Sequence, residues 1–261
     1  MEQLNKIHNM DCIEGLSLLP DESIDVVFTS PPYKSSYEGI GINRNSKTAK
    51  FHYSNDVGEP LYIIEDVAQI LHKKVKTNGF FLLNLGFNKD SGALRPFQIV
   101  DRFRKFGWFC PDIIIWHKKN PIPNTAYQLT NAYEFVFVLT KNPTYKLPID
   151  NRAYIHNVVN TPVEKGESEH NAAFHLDLAK FVVEKFSKEG DIICDCFMGS
   201  GTTALACKNL NRKYIGYEIN PLYVEIANKR LKQGTVSEFT SPNGDFATQK
   251  SLICVKEENQ K

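Results

Sequence analysis

A chain of 261 residues, 42% hydrophobic and 23% charged with a net charge of +1, is long enough for one large domain or a domain with a small appendage. Its longest apolar runs, such as Gly79-Phe80-Phe81-Leu82-Leu83, are far too short to span a bilayer, and Met1–Lys6 has no apolar signal core. A membrane or exported protein is therefore not expected and a cytoplasmic one is, while the charge balance neither demands nor excludes nucleic acid.

In chain order, the first predicted strand is Ile24–Thr29, which stops dead at Ser30-Pro31-Pro32-Tyr33. Proline fixes φ, lacks an N–H and pushes its predecessor toward extended geometry, so the chain makes a stiff, exposed corner there. In open α/β sheets the carboxyl edge of the strands is where ligands bind. Lys34–Pro60 is irregular, and up to Phe51 its cations Lys34, Arg44, Lys47 and Lys50 face only Glu38. A basic loop beside a candidate site suits a polyanion, although a solvated surface loop gives the same composition. A helix is predicted over Tyr62–Lys76, a strand over Phe80–Leu85, a helix over Leu94–Phe106 and strands over Ile113–Trp116 and Glu134–Thr140. After irregular Asn142–Asn171 come a helix at Leu176–Ser187, a strand at Ile192–Cys196, a helix at Thr202–Leu210, a strand at Tyr214–Tyr217 and a helix at Pro221–Lys232. Near-continuous apolar strands alternating with helices predict an α/β fold with a largely parallel sheet. The tail from Gln233 has one short apolar patch, Leu252–Val255, with no readable purpose.

The six cysteines lack framework spacing. Cys194 and Cys196, two apart in a strand, face one side and read as buried thiols rather than a zinc or redox pair. His170 and His175 do not share a helical face, so no metal site is expected.

The run Asp195-Cys196-Phe197-Met198-Gly199-Ser200-Gly201-Thr202-Thr203-Ala204 carries a strand through a Gly-x-Gly turn into a helix. Glycine lets the main chain turn tightly and lets a ligand approach it, and the helix amino terminus favours an anion. The next strand delivers Glu218, an acid placed to accept hydrogen bonds from ribose hydroxyls. A dinucleotide prefers a third glycine where Ala204 stands, so a nucleoside cofactor of another kind fits as well.

Together the two constellations resemble the S-adenosylmethionine-dependent amino-methyltransferases of DNA. Ser30-Pro31-Pro32-Tyr33 matches their catalytic Ser/Asp/Asn-Pro-Pro-Tyr/Phe, and Asp195–Thr203 matches their Asp-Pro-Phe-x-Gly-Ser-Gly-Thr-Thr, with Cys196 in place of proline. The catalytic motif precedes the cofactor motif, as in the permuted β group. His8–Cys12, Trp116–Asn120 and His170–Phe174 agree with the same pattern. The resemblance covers roughly Asn5 to Lys232, which would be the catalytic domain, and leaves residues 233–261 as a tail of unread role.

The resemblance implies a Rossmann-like, seven-stranded mixed sheet with S-adenosylmethionine across the strand ends at Asp195 and Glu218. Glu218 would bind ribose, Asp11 and the Cys12 backbone the adenine edge, and Phe197 would pack beside the cofactor. Gly199, Ser200, Gly201, Thr202 and Thr203 would line its methionine portion. As an ordinary turn residue, Asp11 would have no ligand at all.

At the corner, Ser30 Oγ and the Pro31 carbonyl would accept the N–H bonds of an exocyclic amine and turn its lone pair toward the methyl group. Pro32 would hold the corner stiff, and Tyr33 would stack on a base flipped from duplex DNA. Serine at the first motif position is more typical of members acting on cytosine N4, with adenine N6 as the alternative. In Asn142–Asn171, Lys146, Arg152, Asn151, Asn157 and Asn160 could read base edges or phosphates as a small target-recognition region. Duplex DNA, a second copy of the chain and a cognate restriction endonuclease are the implied partners. A nicotinamide oxidoreductase would leave Ser30–Tyr33 unexplained, a non-catalytic DNA-binding protein would have no need of intact motifs, and an RNA or protein-amide methyltransferase fits Ser30 less well.

Overall fold

The structure, a computed structural model, describes residues 2–31, 61–86, 92–121, 123, 129–149, 154–162 and 174–233. Pro32, Tyr33, Lys34, Arg44, Lys47, Lys50, Arg152, His170 and the tail beyond Gln233 lie outside the described residues.

In chain order the elements are β1 (Lys6–His8), α1 (Cys12–Ser17), β2 (Ile24–Thr29), α2 (Leu61–Lys74), β3 (Val75–Leu85), α3 (Arg95–Asp101), β4 (Phe109–Lys118), β5 (Tyr133–Thr140), β6 (Val158–Thr161), α4 (Leu176–Phe186), β7 (Ile192–Asp195), α5 (Thr202–Asn209), β8 (Lys213–Tyr217) and α6 (Pro221–Gln233). The strands form one sheet in the order β1-β8-β7-β2-β3-β5-β4-β6. Among the described residues only β5 runs against its neighbours, so the sheet is mixed as the resemblance implies.

Among the described residues the sheet has eight strands, against the seven implied. The two that sequence reading passed over, β1 and β6, are the sheet's outer edges. Three and four residues are too short to show a period, and both are defined by pairing: β1 along β8 and β6 along β4. Helix α1, six residues long, is likewise under two turns and too short to show a helical period. At the end of α2 the chain turns extended at Val75, because Val75 pairs with Ile24; Lys76 therefore belongs to β3 and not to the helix. The helix predicted to Phe106 ends at Asp101 and tightens into a 3₁₀ turn, Arg102–Phe106, closed by Gly107 at φ 93°.

Each sheet face is buried. Val26, Phe28, Leu82, Val136 and Trp116 pack under α4, α5 and α6 through Leu178, Val182, Ala206 and Leu231. Val27, Phe81, Leu83 and Phe137 pack under α1 and α2 through Leu16, Val67 and Leu71, with Trp108 anchored by its Nε1–H on the Ala68 carbonyl at 2.8 Å. Among the described residues no helix is long and apolar enough to cross a membrane.

The strand order places the candidate site. From β2 the chain continues to β3 on one side, and from β7 to β8 on the other. Neighbouring parallel strands whose connections part in this way open a crevice at their carboxyl ends, the ligand site of doubly wound sheets. Here those ends are Thr29 and Asp195, the roots of the two motifs.

Candidate active site

A single buried carboxylate welds the two motifs together. Asp195 Oδ1 accepts Thr29 Oγ1–H at 2.6 Å and the Phe197 N–H at 3.1 Å, while Oδ2 accepts Thr203 Oγ1–H at 2.6 Å. The Phe197 N–H also lies 3.2 Å from Thr29 Oγ1. The residue before Ser30 is thereby fixed to the end of β7 and to the first turn of α5. Burial pushes the Asp195 carboxyl above its ordinary value, with the bonds from Thr203, Thr29 and Phe197 pulling back. Ser30 is half-buried at the corner and Pro31 is buried behind it.

The glycine turn is anchored at both ends. Gly199 and Gly201 stand at φ 52° and 84°. The Met198 N–H donates to the Tyr217 carbonyl at 2.9 Å, tying the turn to β8. Arg230 of α6 donates to the Ser200 carbonyl at 2.7 Å, to Ser200 Oγ at 2.8 Å and to Thr202 Oγ1 at 3.3 Å. The hydroxyls of Ser200, Thr202 and Thr203 are therefore directed into protein, and the main chain of the turn forms its ligand-facing part.

Glu218 closes the other side of the crevice. Its Oε2 accepts the Gly199 N–H and its Oε1 the Asn220 N–H, both at 2.8 Å, so the carboxylate links the turn to the end of β8. Its own N–H donates to the His8 carbonyl at 3.0 Å, and Asn9 Nδ2 donates to the carbonyls of Glu218 and Ile219. Burial raises the Glu218 carboxyl above its ordinary 4.5, against the lowering effect of the Asn220 and Gly199 N–H groups, while Asp195 adds a smaller push upward. Each carboxylate oxygen still has a second lone pair for a hydroxyl.

Asp11 caps α1, its Oδ1 accepting the Ile13 N–H at 2.7 Å. It thus has the local role of a turn aspartate and also stands beside Glu218's strand, since β1 pairs with β8. Cys12 is buried, with its thiol pushed up to about 12 by desolvation first and Asp11 second. Cys194 and Cys196 are both buried in the α1–α2 face, as their spacing predicts. Phe197 packs at the margin of that same face. Among the described residues no group of His, Cys, Asp and Glu could hold a metal ion.

The structure brings Ser30, Pro31, Asp195, Phe197, the Gly199–Thr203 turn and Glu218 to one edge. Lys146 is exposed on the segment after β5. Sequence reasoning missed Thr29, Asn9 and Arg230. Thr29 had a signal, a hydroxyl at the strand end beside the proline corner; Arg230 had none, because only folding brings α6 to the turn.

The chain resembles known proteins along most of its length. It is 29% identical over 275 residues to the type II methyltransferase M.MwoI of Methanothermobacter wolfeii, covering 95% of this chain and 39% of that protein, so the chain spans well under half of that relative. In fold it is similar to the cytosine-N4-specific PvuII DNA methyltransferase, with TM-score 0.69 and 22% identity over 85% of this chain and 84% of the other. It is also similar in fold to the Thermus thermophilus protein TTHA0409, solved with S-adenosyl-L-methionine, with TM-score 0.65 and 24% identity over 87% and 93% of the two chains. The family model of the N6/N4 DNA methylases matches residues 24–229, well over half of the chain, and the chain belongs to that DNA methylase family.

Proposed function

We propose that this chain transfers a methyl group from S-adenosylmethionine to the exocyclic N4 of a cytosine flipped out of duplex DNA. The observation that carries the reading is the Asp195 weld, which holds the Ser30–Pro31 corner and the glycine turn against each other. A transfer between two bound molecules needs both sites at one fixed separation, and a buried three-bond anchor supplies it.

When bound, S-adenosylmethionine supplies an electrophilic methyl group on a sulfonium. The site's donors and acceptors suit that molecule. Glu218 offers a desolvated carboxylate to ribose hydroxyls, and the Gly199–Gly201 main chain accommodates the amino-acid end. Asp11 and Cys12, at the start of α1, take the adenine edge. Ser30 and the Pro31 carbonyl orient the amine, Pro32 stiffens the corner and Tyr33 stacks on the base.

Serine at position 30 and the fold likeness to the cytosine-N4-specific PvuII enzyme support cytosine. Duplex contacts fall to Lys34, Arg44, Lys47 and Lys50 of the basic loop and to Lys146 and Arg152. The kinship to type II methyltransferases supports a restriction-modification role with a partner endonuclease, and a pair of chains would supplement the short recognition region of residues 142–171. The segment 1–232 is the catalytic domain of this reading.

Labelled methyl transfer to duplex DNA, followed by nucleoside analysis, tests it. N4-methylcytosine is expected; N6-methyladenine would overturn the base assignment, and no transfer despite cofactor binding would overturn the substrate class. In Ser30→Ala and Tyr33→Ala, cofactor affinity should persist while turnover falls by about 10²-fold or more. Unchanged turnover in both would remove these residues from the chemistry.

A further inference from the structure

The carboxyl edge carries a polar row that orienting an amine at Ser30 does not use. Side chains alternate along a strand, so each can be assigned a face from its buried neighbours. Val26 and Phe28 lie on the α4–α5–α6 face and bring Ser30 with them; in the same way Leu82 brings Asn84, Val136 brings Glu134 and Trp116 brings Lys118. Thr29 pairs with Leu83, Asn84 with Val136 and Glu134 with Trp116. Four adjacent strands therefore present Ser30, Asn84, Glu134 and Lys118 in sequence on one face, with Glu134 and then Lys118 stepping outward from the sheet edge.

The row is held in place. Lys118 Nζ donates to Glu134 Oε1 and sits 4.8 Å above the Trp116 ring. Trp116 Nε1–H is fixed on Thr161 Oγ1 at 2.7 Å, and Asn84 Nδ2 on the Phe135 carbonyl at 3.1 Å. The two charged side chains are only 21% and 17% exposed. A Cβ on Gly86 would come within 3.3 Å of Glu134, so the space beside the pair is kept clear of side chain. A half-desolvated ion pair contributes little net stability, yet Lys118 keeps donors beyond the one given to Glu134.

We infer that Lys118, steadied by Glu134, is a base-positioning residue: its ammonium donates to a ring acceptor of the base whose amine sits at Ser30. The inference rests on the base-amine reading above. Lys118 belongs to β4, three strand spacings from β2, but its Nζ is held on Glu134 of β5, which lies two spacings from β2, about 9.6 Å across the sheet. That is room for one six-membered ring with a hydrogen bond of about 2.9 Å on either side.

The test uses the full chain and a duplex containing its own methylation site, mapped from the sites of transfer. Lys118→Met should raise KM for the duplex about ten-fold or more while the S-adenosylmethionine Kd stays within about two-fold. Its binding deficit should vanish on the same duplex with the target nucleotide made abasic, since no base is then left to contact. Glu134→Gln should show a smaller loss of the same kind, and the double variant should be no worse than Lys118→Met. A wild-type KM in Lys118→Met, or a deficit that persists on the abasic duplex, would overturn the inference. If thermal melting shows Lys118→Met unfolded, the near-isosteric Glu134→Gln decides by the same two measurements. Absence of any transfer by the wild-type chain would instead overturn the methyltransferase reading, and this one with it.

Discussion

Asp195 joins more of the candidate site than any other single side chain described. Its acceptors satisfy two buried hydroxyls and a main-chain N–H from three separate elements. Asp195→Ala would strand the buried Thr29 and Thr203 hydroxyls, which predicts a stability loss of about 2–4 kcal/mol and loss of transfer; chemical denaturation and the methyl-transfer assay check it. Glu218 calls for a different measurement. Its folded carboxyl titrates above 4.5 because burial disfavours the charge. In the proposed site a ribose hydroxyl would donate better to the ionised form, so cofactor binding would release protons and weaken as pH falls through the raised value. The gain in melting temperature from S-adenosylmethionine should be larger at about pH 8 than at about pH 5, and Glu218→Gln should lose that dependence. An equal gain at both pH values in the wild type would place Glu218 outside the cofactor contact.

The elements meet at points where a side chain has no room, and these are testable as packing. Gly201 begins α5 at φ 84°, and a Cβ there would stand 2.8 Å from the Ala227 Cβ of α6. Gly201→Ala should cost about 1–3 kcal/mol and loosen the turn that Arg230 clamps, seen as a lower denaturation midpoint and weaker cofactor binding. Gly15 of α1 faces Tyr217 of β8, whose hydroxyl donates to the Gly15 carbonyl at 2.9 Å; an added Cβ would lie 2.1 Å from the ring. Gly15→Ala should destabilise by about 1–3 kcal/mol and displace α1, measurable by the same denaturation. The apolar centres of the longer elements were legible, while β3 and β4 run well beyond the predicted Phe80–Leu85 and Ile113–Trp116. Ile24–Thr29 matches β2, and Leu176–Ser187 exceeds α4 by one residue, because an apolar run or stripe of that length fits one structure. The edge strands β1 and β6 were not, because a three- or four-residue strand acquires its geometry from the neighbour that pairs with it.

At the scale of the whole molecule, Asp195 and Glu218 share one sign. Burial raises both, so the folded chain binds protons more tightly there than the unfolded chain does. Their contribution to stability is full below the ordinary carboxylate values and is lost as pH rises through the raised ones. Both groups stand at the carboxyl ends of strands beside the crevice, Asp195 buried beneath it, where the connections from β2 and β7 part to opposite sides of the sheet. The alternation of strand and helix, the proline corner at Ser30–Pro31, the glycine turn and the acid at Glu218 were written in the amino acids alone, since these depend on neighbours within a few residues. It took the folded chain to show that Thr29, Asp195 and Thr203 share one set of hydrogen bonds, that Arg230 clamps the turn, and that Ser30, Asn84, Glu134 and Lys118 stand in one row. Those relations join residues as many as 174 positions apart, from Thr29 to Thr203, and strand pairing and helix packing, rather than local propensity, bring them within reach.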